Sequence, residues 1–188
     1  MQITISGLPG SGKSTLAKCL AKKLKLKHYC AGDIMRELAR KKGISLLELS
    51  NIAEKDTNID KEIDSVYKEL AKKDNIIVDS RLGFYFLPKS IKLFLVVDPV
   101  IGARRVWTAK RMTEQENISP KQTARAIKKR IESERQRYKK LYNIDHTNTK
   151  NYDIVLDTSY MNVEQMNDAA FNAIKKFIAE SKRKITSR

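Results

Sequence analysis

The strongest restriction on the fold is a glycine-rich octapeptide near the amino terminus. Residues 7–14 read Gly-Leu-Pro-Gly-Ser-Gly-Lys-Ser, which matches the pattern G-x-x-x-x-G-K-[ST] of a phosphate-binding loop, or P-loop. Ile3 and Ile5 before it alternate as in a strand, and the leucines from Leu16 to Leu24 after it recur every four residues on one face of a helix. Because the motif requires a strand before it and a helix after it, the sequence predicts an α/β fold that binds a phosphate group.

Each residue type in this loop has a physical role in binding phosphate. Glycines let backbone N–H groups turn inward around an anion, and the start of the following helix adds a partial positive charge. Lys13 is expected to reach the β- and γ-phosphates of a nucleotide, and the Ser14 hydroxyl to bind Mg²⁺. The residues predicted to bind the nucleotide here are Gly7, Leu8, Pro9, Gly10, Ser11, Gly12, Lys13, Ser14 and Thr15.

A second candidate magnesium ligand follows an apolar run. Residues 76–78 are Ile-Ile-Val, and Asp79 comes directly after them. In P-loop proteins a carboxylate at the end of an inner strand holds Mg²⁺ or its waters opposite the serine of the loop. The alternative is a structural aspartate that caps the end of an element. With the loop present, we predict a Mg²⁺ site at Ser14 and Asp79.

Short apolar runs alternate with helical patterns along the chain. After the first strand, strand patterns cover residues 27–30, 75–79, 93–97 and 153–156, and a basic helical pattern runs from Ser119-Pro120 to about residue 142. We therefore predict one domain over residues 1–188, with the three-layer α/β/α P-loop NTPase fold built on a five-stranded parallel sheet. The 44 residues between the second and third strand patterns are too many for one crossover, so we predict a helical insertion over about 33–73.

The charge of the chain favours an anionic partner. The sequence has 38 Lys and Arg against 22 Asp and Glu, a net charge of +16, which attracts nucleic acid and phosphorylated small molecules alike. Two cysteines and two distant histidines supply neither a disulfide framework nor a structural zinc cluster. The longest apolar strand run has five residues, against roughly 20 for a membrane span, and no secretory signal is visible. We expect a cytoplasmic protein with no membrane partner.

Three further stretches carry a family resemblance. Residues 31–36 read Ala-Gly-Asp-Ile-Met-Arg, residues 79–82 read Asp-Ser-Arg-Leu, and residues 132–138 read Glu-Ser-Glu-Arg-Gln-Arg-Tyr, followed by Leu-Tyr-Asn-Ile-Asp at 141–145. Together with the P-loop in the first fifteen residues, they resemble the archaeal type of cytidylate kinase over nearly the whole chain. Only the P-loop is specific by itself, whereas the combination is specific as a set.

The resemblance implies transfer of the γ-phosphoryl group of ATP to CMP or dCMP with Mg²⁺. It also implies that the insertion binds the nucleoside monophosphate (NMP) and that a mobile lid covers about 104–137. By resemblance, Arg36 and Arg81 hold the acceptor monophosphate near Gly32, with Asp33 close to the metal. Arg130, Glu134 and Arg137 close over the acceptor's sugar and phosphate, while Arg104 and Arg111 face the transferring phosphates and the adenine. The predicted catalytic residues are Lys13, Arg81, Arg130 and Arg137.

The sequence departs from the family pattern at three places. Ser80 stands where a glycine is expected before the acceptor-site arginine, the aromatic residues 84–86 stand near an expected tryptophan, and Trp107 stands where arginine is frequent. These departures leave the acceptor base open. An adenylate, uridylate or broad pyrimidine monophosphate kinase is therefore an alternative.

Two other interpretations remain at this point. Arg130, Arg135 and Arg137 can instead pair with Glu132 and Glu134 at helical spacing as a solvated face. The net charge also allows a different class of function, a P-loop ATPase that binds nucleic acid. We expect the partners to be ATP and CMP or dCMP, with no specific nucleic acid, and the protein to be a monomer.

Overall fold

A parallel five-stranded sheet forms the centre of the molecule. The computed structural model describes residues 1–44, 48–49, 52–53, 56–109 and 119–186. Its strands are β1 (Gln2–Gly7), β2 (Lys27–Cys30), β3 (Ile76–Asp79), β4 (Ile91–Val96) and β5 (Ile154–Asp157). They lie in the order β2-β3-β1-β4-β5, and every neighbouring pair is parallel. The predicted sheet is confirmed, and β3 and β4, which carry the near-continuous apolar runs, occupy inner positions.

Helices connect the strands and cover both faces of the sheet. They are α1 (Lys13–Leu24), α2 (Ala31–Lys42), α3 (Thr57–Ala71), α4 (Gly83–Phe86), α5 (Pro99–Thr108), α6 (Pro120–Tyr142) and α7 (Val163–Thr186), with a 3₁₀ turn at Thr149–Asn151. The long helix α6 begins as its sequence predicts. The Ser119 hydroxyl accepts a hydrogen bond from the backbone N–H of Gln122, and Pro120 occupies the first turn, where its missing N–H costs nothing.

The two faces of the sheet follow from the alternation of side chains along each strand. On one face, Ile3 and Ile5 of β1 pack against apolar residues of α1 and α7. On the other face, Val78 of β3 packs with Tyr67 of α3, and Phe94 of β4 packs with neighbouring aromatic rings. Both faces are covered by helices, which gives the predicted three-layer α/β/α arrangement.

Helices α2 and α3 lie in the segment that was predicted as an insertion. They share a small core of their own, in which Ala39 of α2 and Ile59 of α3 are buried together with Leu49 and Ala53. Through Tyr67, α3 also packs onto the main sheet. The role of residues 33–73 as an NMP-binding insertion stays a prediction.

The carboxyl ends of β1, β2 and β3 lie side by side. Ile5 of β1 and Cys30 of β2 both pair in register with Asp79 of β3. In open α/β sheets, ligands bind outside this edge, where loops leave the strands. The octapeptide that follows β1 and the segment that follows β3 therefore meet at one place.

Candidate active site

The octapeptide forms a tight turn that only glycine permits at its sharpest point. Gly10 has φ +79°, in the left-handed region, and a Cβ atom there would lie 2.2 Å from the carbonyl oxygen of Gly102 in α5. Gly12, with φ +87°, is the N-cap of α1. The first N–H groups of α1 have no partner within the helix and carry its positive dipole end. The loop and the helix start therefore present backbone donors toward one space, as phosphate binding requires.

Lys13 and Ser14, the two polar side chains predicted to bind phosphate and Mg²⁺, each make a hydrogen bond at the loop. The Nζ atom of Lys13 donates to the carbonyl oxygen of Leu8 at 3.3 Å, which folds its ammonium group back over the loop. The Ser14 hydroxyl donates to Oδ2 of Asp79 at 2.6 Å. Sequence separation between Ser14 and Asp79 is 65 residues, and the adjacent ends of β1 and β3 bring them into contact.

The pair Ser14 and Asp79 offers the ligand chemistry that Mg²⁺ prefers. A hydroxyl and a carboxylate are hard oxygen donors, and Mg²⁺ usually adds substrate phosphates and waters to one or two such protein ligands. Cys30 lies beside them, with its Sγ atom 3.7 Å from Oδ2 of Asp79. Across the described ranges, no group of three or more His, Cys, Asp or Glu side chains is arranged to hold a metal ion. The pair thus fits a metal that depends on phosphate and water for its remaining ligands.

A partly buried charge cluster lies just beyond β3, centred on Glu134 of α6. Arg81 donates through Nε to Oε2 of Glu134, and Arg130 donates through Nε to Oε1 at 3.1 Å. The Arg81 and Glu134 side chains are only 20% and 17% exposed. Burial favours the neutral carboxyl, but the charges of Arg81 and Arg130 outweigh it, so the pKa of Glu134 is lowered. Three residues predicted for the acceptor site therefore do come together.

His146 completes this cluster and was not predicted from the sequence. Its Nε2 atom lies 3.7 Å from Oε2 of Glu134, and the Tyr138 ring packs edge-on against the imidazole at 5.1 Å between centroids. Burial lowers the pKa of His146 to about 4, against the attraction of Glu134 and Asp145 and with repulsion from Arg81 and Arg135. The imidazole is therefore neutral near pH 7. Nothing in the sequence around His146 distinguishes it from a surface histidine.

Arg137 does not join the Glu134 cluster but contacts helix α3. Its Nη2 atom lies 3.2 Å from Oδ1 of Asp60 in α3, whose side chain is 8% exposed. Burial raises the pKa of Asp60, although Arg137 opposes this. One turn further along α3, Asp64 accepts a hydrogen bond from the Tyr142 hydroxyl at 2.9 Å. The contact between Arg137 and Asp60 bridges 77 positions of sequence, and the interpretation of a solvated face is wrong for this arginine.

The remaining acceptor-site predictions fall on exposed residues. Arg36 forms an ion pair with Asp33 of the same helix, and their side chains are 57% and 68% exposed. Gly32 lies in the first turn of α2. A Cβ atom placed on Gly32 would lie 3.5 Å from Nη1 and 3.6 Å from Nη2 of Arg36. Arg135 forms exposed pairs with Glu132 and Asp145. Arg36 thus pairs with Asp33 of its own helix, and among the described residues it makes no hydrogen bond to the Glu134 cluster.

On the donor side, Arg104 is exposed on α5, while Arg111 lies outside the described residues. Trp107 is also exposed, at 39%. The neighbouring Arg105, which no sequence pattern distinguishes, contacts the carbonyl oxygen of Gly10 and those of Thr158, Ser159 and Met161.

In the described part of the chain, no helix is long and apolar enough to cross a membrane.

Comparison with known proteins agrees with this architecture and extends it. The profile of the cytidylate kinase-like family matches residues 2–160. Among solved structures, a shikimate kinase from Bacteroides thetaiotaomicron superposes with a TM-score of 0.67 at 15% identity, covering 95% of this chain and 98% of that one. A gluconokinase from Sinorhizobium meliloti superposes with a TM-score of 0.61 at 15% identity, covering 97% and 96%. At such low identity these structures show the fold alone.

Relatives found by sequence share a higher identity with this chain than the solved structures do. A cytidylate kinase from Methanocaldococcus jannaschii is 41% identical over 175 residues, which cover 93% of this chain and 97% of the relative. A cytidylate kinase from Archaeoglobus fulgidus is 37% identical over 93% of this chain and 95% of its own length. With the family match over residues 2–160, these near-full-length similarities mean that the chain belongs to the cytidylate kinase-like family.

Proposed function

We propose that the protein transfers the γ-phosphoryl group of ATP to CMP or dCMP and releases ADP and CDP or dCDP. The observation that carries this proposal is the near-full-length similarity to proteins named cytidylate kinase. The site geometry agrees with it, because the glycine-rich loop follows β1 and the arginine cluster around Glu134 follows β3 at the same edge of the sheet. We propose that the enzyme acts in the cytoplasm as a monomer.

The donor end of the site is the loop together with Lys13. ATP is proposed to lie with its β- and γ-phosphates against the N–H groups of the loop and of the first turn of α1, where the helix dipole favours negative charge. On binding, Lys13 exchanges the carbonyl oxygen of Leu8 for phosphate oxygens. Ser14 and Asp79 would hold Mg²⁺, which neutralises charge on the phosphate oxygens when it is bound.

The acceptor end is proposed to centre on Arg81. A guanidinium makes two parallel hydrogen bonds to a phosphate and keeps its charge at any physiological pH. Glu134 pairs with both Arg81 and Arg130 as an internal anion. The acceptor monophosphate brings a second negative group to this cluster, and Glu134 is then positioned to accept from the sugar hydroxyls. Arg36, Arg137 and Asp33 are proposed to complete the acceptor site around Gly32.

The reaction needs positioning and charge neutralisation more than proton transfer. An oxygen of the acceptor phosphate forms a bond to the γ-phosphorus, while the bond from that phosphorus to the β–γ bridging oxygen breaks, and ADP leaves with the electron pair. The attacking oxygen already carries its negative charge, so no general base is required. Arg81, Arg130 and Lys13 stabilise the charge that is spread over the transferring group. Arg104 and Arg111 are proposed to approach it when residues 104–137 close and exclude water.

The test is ADP production by the purified protein with Mg²⁺ and ATP, with CMP, dCMP, UMP, AMP and GMP supplied separately. We expect turnover with CMP and dCMP to exceed that with the other acceptors. The Lys13→Ala variant, purified in the same way, controls for contaminating kinases. Turnover led by AMP or UMP would assign a different acceptor base, and no stimulation by any monophosphate would reject the kinase.

A further inference from the structure

The Arg105 side chain contacts backbone carbonyl groups beside the donor loop. Its Nη2 atom donates to carbonyl oxygens at 2.9, 3.0 and 3.3 Å, those of Thr158, Ser159 and Met161, and its Nη1 atom lies 3.5 Å from the carbonyl oxygen of Gly10. Among the carboxylates that the structure describes, none forms an ion pair with this half-buried guanidinium. A guanidinium that bonds to backbone carbonyls from two segments joins those segments to its own helix.

Thr158 extends this contact to the next residue of the loop. The Thr158 side chain is buried, and its hydroxyl lies 3.0 Å from the carbonyl oxygen of Ser11 and 3.1 Å from that of Val96. Because a trans peptide is planar, the carbonyl of Ser11 and the N–H of Gly12 point in opposite directions. Holding that carbonyl on the outer side of the loop therefore turns the N–H of Gly12 toward the inner side, where phosphate binds.

Helix α5 supports the loop from the same side. A Cβ atom on Gly102 would lie 2.8 Å from the carbonyl oxygen of Pro9, so the backbone of α5 touches the loop directly. Arg105 comes three residues later on this helix, which places it on the face that meets the loop. The guanidinium is therefore anchored on a rigid element.

We propose that Arg105 is a positioning residue for the donor phosphates. It holds the outer side of the loop, directly at the Gly10 carbonyl and through Thr158 at the Ser11 carbonyl, so that the N–H of Gly12 is oriented before the nucleotide arrives. The inference rests on the proposed function for the identity of the donor as ATP. Binding of a polyphosphate by the loop does not depend on which acceptor the enzyme uses.

The test compares Arg105→Met with Arg183→Met, a control at an exposed arginine near the end of α7. Binding of tripolyphosphate is measured by calorimetry, and KM values are measured for ATP and for CMP. Since hydrogen bonds from a charged group are lost, we expect Arg105→Met to weaken tripolyphosphate binding and raise the KM for ATP by about tenfold, with the KM for CMP changed less than about twofold. Arg183→Met should match the wild type in all three measurements.

A second pair of variants keeps the inference testable if Arg105→Met does not fold. Thr158→Val removes the hydroxyl at nearly constant shape and should weaken tripolyphosphate binding, whereas Thr158→Ser retains the hydroxyl and should restore it. Wild-type tripolyphosphate binding by Arg105→Met or, if it does not fold, by Thr158→Val would overturn the inference. So would a parallel rise of both KM values, or a wild-type protein that does not bind tripolyphosphate. If the wild type binds tripolyphosphate but phosphorylates no monophosphate, the proposed function fails while the calorimetry still decides the role of Arg105.

Discussion

At the scale of single residues, Lys13 carries the positive charge of the donor loop. Its ammonium group lies over the loop at Leu8, and the side chain is half-buried at the surface of the site. Replacing Lys13 with Ala removes this charge without opening the core, so we expect turnover to fall at least about 100-fold and the melting temperature to stay close to that of the wild type. Steady-state assays and thermal unfolding check this, with Lys18→Ala on the exposed side of α1 as control. Wild-type turnover in Lys13→Ala would remove it from the site.

Arg81 is predicted to act on the acceptor rather than on ATP. Its guanidinium is held by Glu134, just beyond the end of β3. Arg81→Ala should therefore raise the KM for CMP by about tenfold or more and the KM for ATP much less, because a two-pronged contact to phosphate is lost. Arg135→Ala, which removes an exposed arginine of the same region, should change neither value. Equal increases in both KM values for Arg81→Ala would place Arg81 outside the acceptor site.

Removing Arg81 leaves the buried Glu134 with fewer cations, so Arg81→Ala is also expected to unfold more readily. If the alanine variant does not fold, the KM for CMP can be measured on Arg81→Lys instead. It retains the positive charge but cannot make two parallel bonds to a phosphate. Its KM for CMP should lie between the wild-type and alanine values.

His146 gives the fold a specific dependence on pH. Its pKa is about 4 in the folded protein because of burial, against about 6.5 in the unfolded chain. Below pH 6.5 the unfolded chain therefore takes up a proton that the folded protein does not, and stability falls as the pH falls toward 4. Between pH 8 and pH 5 this one group is expected to lower the free energy of unfolding by about 2 kcal/mol.

Urea unfolding of the wild type and of His146→Gln at several pH values measures this contribution. Burial also lowers the pKa of His28, so the difference between the two proteins, and not the wild-type curve, isolates His146. The stability difference between them should change by about 2 kcal/mol over this range. Parallel pH profiles would show that His146 is not buried in its neutral form.

At the scale of elements, α6 is bonded to α3 by two side-chain contacts. Arg137 contacts Asp60, and Tyr142 donates to Asp64, so two acidic residues of α3 are held by two residues of α6. The Tyr142 ring also packs with the rings of Tyr85 and Phe86. The same helix thus carries Glu134 of the acceptor cluster and the contacts that orient α3.

The hydrogen bond between Tyr142 and Asp64 should contribute measurably to stability. Tyr142→Phe keeps the ring and removes the hydroxyl, which leaves a half-buried Asp64 without this donor. We expect the free energy of unfolding to fall by about 1–2 kcal/mol. The control is Tyr160→Phe, because Tyr160 is 90% exposed and its hydroxyl is solvated. Equal stabilities of the two variants would mean that the α3–α6 contact is not formed in solution.

At the scale of the whole molecule, the net charge of +16 attracts any polyanion. We expect a short RNA to bind at low salt with the same affinity as its scrambled sequence, and that affinity to fall by an order of magnitude or more between about 50 and 200 mM salt. Turnover of CMP should persist over this range, because Arg81, the centre of the proposed acceptor site, is only 20% exposed and its charge is less screened by salt. Fluorescence anisotropy and the coupled assay measure the two quantities. Salt-resistant, sequence-selective RNA binding would support the nucleic-acid class of function instead.

Local patterns in the sequence predicted most of the fold. The octapeptide, the apolar runs of β3 and β4, and the Ser119-Pro120 helix start all depend on residues within a few positions of one another. Such signals need no knowledge of the rest of the chain, because strand alternation, helical spacing and capping are determined by neighbouring residues. The parallel sheet then follows from the order of the elements and from the handedness of their connections.

The partners of the arginines were decided only by the tertiary structure. Arg81 meets Glu134 across 53 residues, Arg137 meets Asp60 on another helix, and Arg105 meets the backbone of residues 158–161. A single sequence shows that these residues are charged, but a charge is compatible with many partners within reach of a helix face. Which carboxylate or carbonyl lies there depends on how strands and helices pack around the sheet. The sequence by itself therefore determined the glycine-rich loop and the sheet, whereas packing between residues 50 or more positions apart decided which residues surround Glu134 and which arginine contacts the loop.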